Sequence, residues 1–74
     1  MDGINRNRIR GMMAERRLTN RDVAIKTGFT ETTISNFLNG KNPSYRLMRA
    51  LKFALMMDAE TADNIFFADD LPVA

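Results

Sequence analysis

Apolar residues fall along this chain in short clusters with a helical repeat, and a small polar residue stands ahead of most of them. Ile9, Met12 and Met13 recur at i, i+3 and i+4. They predict a first helix over about residues 5–16, with Leu18 closing the loop after it. Gly11 weakens that helix by about 1 kcal/mol relative to Ala. Thr19 precedes Val23 and Ala24, and Asp22 lies three residues after it. A threonine hydroxyl caps a helix start, and Asp22 stands where a capping box normally carries Glu or Gln. Gly28 stops this second helix by adopting a left-handed backbone at little cost. Thr30 caps a third, with Ile34, Phe37 and Leu38 on one face, and Gly40 ends it. Pro43 and Ser44 open a fourth, since proline favours an extended approach and serine caps. It runs to about Met56 with Tyr45, Met48, Leu51 and Leu55 as its inner stripe. Asp58 caps a short fifth helix through Phe67, and Pro72 marks a frayed end.

The expected fold is therefore all-α, a compact five-helix domain over residues 1–67 with an acidic tail at 68–74 that is expected to be flexible. At 74 residues the chain is read as one domain, without a separate catalytic or oligomerisation module. A chain of this size buries only roughly 60% of its unfolded surface, so helix packing must supply the stability. There is no Cys, which excludes a disulfide framework and thiolate metal sites. No apolar run approaches the length of a membrane span, and the N-terminus lacks a signal-peptide core. The expectation is a soluble cytoplasmic protein. Six Met and five Phe at helical spacing are read as gap-filling core, with no cofactor or metal implied.

Charge changes the picture more than composition does. The net charge is only +2, but all eleven Lys and Arg lie within residues 1–57 beside four acids, a local balance of +7. Residues 58–74 carry five acids and no base, a balance of −5. A phosphate-facing body with an acidic end would show this asymmetry. Of the first-helix arginines Arg6, Arg8 and Arg10, only the outer pair shares a face.

Two short helices around a glycine turn, within about twenty residues, match the span of a helix-turn-helix. The stretch resembles the lambda-repressor-like, Cro-type helix-turn-helix proteins of phage and bacterial regulators. The carrying residues are Leu18-Thr19, Val23-Ala24, Lys26, Gly28, Thr30, Thr33-Ile34-Ser35, Phe37, Asn39-Gly40-Lys41 and Pro43-Ser44, with Leu55 and residues 64–67 also fitting. The likeness runs from about Ile9 to Phe67. Departures are Arg17, where the family often has a helix-ending Gly, and Lys52 and Phe53, where it has a small apolar and a polar residue.

A helix that enters the major groove needs a buried face for anchorage and short polar side chains near its N-terminus. Ile34, Phe37 and Leu38 supply the first; Glu31, Thr32, Thr33 and Asn36 supply the second. The resemblance places Thr32, Thr33 and Asn36 at base-contacting positions and Glu31 at the leading reader position. Glu31 has two readings: it accepts from a cytosine amino group, or it steadies the first turn against the helix dipole and points away. Phosphates are expected at the free N–H groups near Thr19, Asn20 and Arg21. The resemblance adds Asn39, Gly40, Lys41, Asn42 and Arg46, and Thr30 completes the phosphate set. One module covers only a few base pairs, so a homodimer on a two-fold operator is expected. Its seam is drawn from Ile65, Phe66, Phe67, Leu71 and Val73, of which one or two enter the core because three consecutive residues cannot share a helix face.

Two functions follow. The first is a sequence-specific repressor of double-stranded DNA, short and Cro-like, from phage or prophage. The second is a protein-interaction module on the same fold, an antitoxin or anti-repressor partner that uses the apolar, acidic C-terminal segment. An enzyme is rejected. There is no His, Cys or Trp, no glycine-rich phosphate loop, and no base for a Ser or Asp nucleophile.

Overall fold

The computed structural model describes residues 3–67. Five helices follow one another: α1 Arg6–Glu15, α2 Asn20–Thr27, α3 Glu31–Leu38, α4 Tyr45–Ala54 and α5 Ala59–Phe66. Each starts on a polar cap. Asn5 accepts from the Arg8 N–H, Thr19 from Asp22, Thr30 from Thr33, Ser44 from Leu47 and Asp58 from Thr61, all at 2.7–3.1 Å. These bonds satisfy backbone donors that a helix start leaves without an internal partner.

Three helices end in the same way. The N–H of Leu18 reaches the Met13 carbonyl after α1, Lys41 reaches Asn36 after α3, and Met57 reaches Lys52 after α4. The residue before each of these donors, Arg17, Gly40 and Met56, has positive φ. This is the Schellman closure, and it demands a left-handed residue. The departure noted at Arg17 is thus a strained one. Met56, read as the last residue of the fourth helix, is instead the left-handed residue beyond it.

α2 packs against both α3 and α4, while α1 lies on α5. The Asn5 N–H donates to the Ile65 carbonyl at 2.9 Å, tying the start of the fold to its last helix. The core takes Ile9, Met12 and Met13 from α1, Val23 and Ala24 from α2, and Ile34, Phe37 and Leu38 from α3. Leu47, Leu51, Leu55, Met57, Ala62, Ile65 and Phe66 complete it. No polar or charged residue is buried among the described residues. None of their helices is long and apolar enough to cross a membrane.

The inner stripe of α4 needs correction. Leu47, not Tyr45, is buried with Leu51 and Leu55; Met48 is half-buried, and Tyr45 is 68% exposed. The stripe therefore runs at 47, 51 and 55, one turn inside the Ser44 cap. Phe53 and Met56 also face outward, so the aromatic and methionine residues are not all core.

Candidate nucleic-acid interface

α3 is amphipathic in the sense a reading helix requires. Ile34, Phe37 and Leu38 are buried, while Glu31, Thr32 and Asn36 are exposed. Thr33 differs from the other polar positions. It is half-buried, and its hydroxyl is 2.8 Å from that of Thr30. It lines a hollow of about 220 Å³ with Phe37, Lys41, Asn42, Pro43, Ser44 and Leu47. The expected reader set therefore divides, with Thr32 and Asn36 on the open side and Thr33 toward the loop. Glu31 is exposed in the first turn and makes no ion pair among the described residues.

The far end of α3 is held from α1. Arg6 donates through Nε to the Phe37 carbonyl at 2.6 Å and through Nη2 to the Lys41 carbonyl at 3.0 Å. Its guanidinium also lies over the Phe37 ring, 5.0 Å from the centroid. Arg10 donates to the Leu38 carbonyl at 2.5 Å. Cations here complement the negative end of the helix dipole, and the Phe37 carbonyl that Arg6 reaches also accepts the Gly40 N–H. The shared face of Arg6 and Arg10 is legible in the sequence, but its target is not. A count of basic residues alone assigns both to phosphate.

The start of α2 offers fewer free donors than expected. Thr19 and Asp22 form a reciprocal capping box, in which the Thr19 N–H donates to the Asp22 carboxylate at 2.9 Å. That backbone bond, with the Thr19 side chain, holds the Asp22 carboxyl below the ordinary aspartate range. The N–H groups left without a helix partner are those of Asn20 and Arg21. At the other end of the motif Asn39, Lys41 and Asn42 are exposed in the α3–α4 loop, and Arg46 is exposed at the second position of α4. Thr30 is exposed, its hydroxyl engaged in the α3 cap.

Of the expected seam, Ile65 and Phe66 are buried in the core, leaving Phe67 39% exposed. Leu71 and Val73 lie outside the described residues. Tyr45 and Phe53, two further exposed aromatics, were not in that set.

The model of the Cro/C1-type HTH DNA-binding domain matches residues 8–63. Comparisons with curated proteins and with solved structures gave no match. The matched span opens in α1, takes in the whole helix-turn-helix and reaches into α5, and the chain belongs to the Cro/C1-type helix-turn-helix DNA-binding domains.

Proposed function

We propose that this chain is a short Cro-like repressor, of phage or prophage origin, that binds a two-fold operator as a homodimer in the bacterial cytoplasm. The observation that carries the reading is α3 itself. Three polar side chains, Glu31, Thr32 and Asn36, stand exposed on a helix whose opposite face is buried. Asn pairs with adenine through two hydrogen bonds, and the Thr methyl packs on a thymine methyl. The exposed Lys41, Asn42 and Arg46 follow the reader along the chain, and the free N–H groups of Asn20 and Arg21 precede it. These groups would grip the phosphates on either side of the groove.

Selection of bound duplexes from a random pool tests it. The expected product is an enriched palindrome at moderate salt. On that operator Asn36→Ala and Thr32→Ala should each cost about 1–3 kcal/mol, with little change on unrelated duplex. A pool that stays random after repeated rounds would sink the proposal.

A further inference from the structure

The groove between α4 and α5 carries a charge pattern that the DNA-binding reading does not use. Its volume is about 420 Å³, and Tyr45 and Phe53 line it from α4. These two side chains are 68% and 67% exposed. Exposed aromatics in a group of this kind mark an interaction site more often than scattered surface does. Arg49 and Lys52 line the same wall, and Asp63 lines the α5 side. None of these three makes an ion pair or side-chain hydrogen bond among the described residues. Two cations against one acid leave the groove positive, and no residue of α3 lines it.

We infer that residues 68–74 of this same chain fold back into the groove as a strap. Phe67, the last described residue, is itself part of the groove lining, so the segment begins at the site. It reads Ala68-Asp69-Asp70-Leu71-Pro72-Val73-Ala74, with two acids, no base and two large apolar residues. Asp69 and Asp70 complement the α4 cations, and Leu71 and Val73 complement the aromatics. Asp63 repels the entering acids from α5, which draws the strap toward α4. Pro72 restricts Leu71 to extended backbone, and in an extended chain Leu71 and Val73 share one side. Seven extended residues reach roughly 23 Å. The helix from Tyr45 to Phe53 spans only roughly 12 Å, so reach does not limit the fit. Tethering favours this occupant over a separate partner. A segment joined at the groove's edge acts at an effective concentration on the order of 1 mM, which a free partner of the same chemistry must match. The strap does not rest on the DNA reading, and it assigns Leu71 and Val73 to their own chain rather than to a seam between copies.

NMR of the full chain tests the assignment. The Leu71 and Val73 methyls should show contacts with the Tyr45 and Phe53 rings and ring-current shifts, both unchanged on dilution. Arg49→Glu/Lys52→Glu, and separately Asp69→Lys/Asp70→Lys, should each lower the closed-to-open ratio by about tenfold. The methyl shifts would then move toward those of an unstructured chain. All four changes in one chain should restore them, because opposite charges again face each other. Phe53→Ser should release the two methyls as well. None of the altered groove residues belongs to the core, so helical circular dichroism should stay as in wild type. Wild type without methyl–ring contacts, charge variants with wild-type shifts, or a fourfold variant without recovery would each overturn the strap. Contacts between labelled and unlabelled chains in a mixture would give the groove to a second copy's tail and overturn it too. None of these outcomes bears on the DNA reading, which duplex selection tests by itself.

Discussion

Arg17 and Met56 hold φ of 55° and 53°, the left-handed region, in helix closures that suit glycine. A side chain there costs about 1–2 kcal/mol through the clash of Cβ with the following carbonyl. Glycine removes that cost but adds back about 0.5–1 kcal/mol of chain entropy. Arg17→Gly and Met56→Gly should therefore each stabilise the fold by about 0.5–1 kcal/mol, and together raise the calorimetric Tm by about 4–16 °C. Met56 is 78% exposed, so little packing is lost with its side chain. Gly40 gives the converse. A Cβ built there meets nothing within 4 Å, so Gly40→Ala should destabilise through φ of 120° alone. Urea unfolding separates the three; an unchanged midpoint for Arg17→Gly would mean that its closure is unstrained. Resemblance pointed to Arg17, where the family often carries Gly. Met56 carried no such mark, because a methionine at a helix end reads as one more apolar residue.

Among the elements, α3 depends on α1 more than its own sequence discloses. Arg6 and Arg10 occupy three carbonyls at the end of α3 and in the loop after it, so they set where residues 39–42 sit. Replacing Arg6 by Met should cost about 1–3 kcal/mol of stability, the worth of hydrogen bonds to a charged donor. It should also weaken operator binding while leaving the slope of log affinity against log salt unchanged, because no phosphate contact is lost. Lys41→Ala or Arg46→Ala should instead flatten that slope by about 0.9 each. A flattened slope for Arg6→Met would place its guanidinium on the DNA and end the positioning account. The helix starts were legible because each cap is a single local residue with a known partner three residues on. The phase of α4 was not. Tyr45, Met48, Leu51 and Leu55 keep a helical repeat as well as Leu47, Leu51 and Leu55 do, and only packing against α2 chooses between them.

For the whole molecule, the polar face of α3 and the glycine turn before it were readable from residues 19–41, since both rest on local periodicity and capping. The interaction of α1 with the end of α3 was not, because it joins residues distant in sequence. Size gives the last expectation. The fold measures 37 × 22 × 19 Å. Two copies of this size, paired as proposed, would set their reading helices at a spacing on the scale of one DNA turn, roughly 34 Å. Two turns, roughly 68 Å, would need two bodies of this length set almost end to end. Inserting about 5 bp between half-sites should turn the second half-site to the opposite side of the duplex and reduce affinity to that of a single half-site. Inserting about 10 bp restores the phase but not the distance, so the loss should persist. Gel-shift titration of the three spacings decides it, and full affinity on the 10-bp insertion would overturn the one-turn spacing.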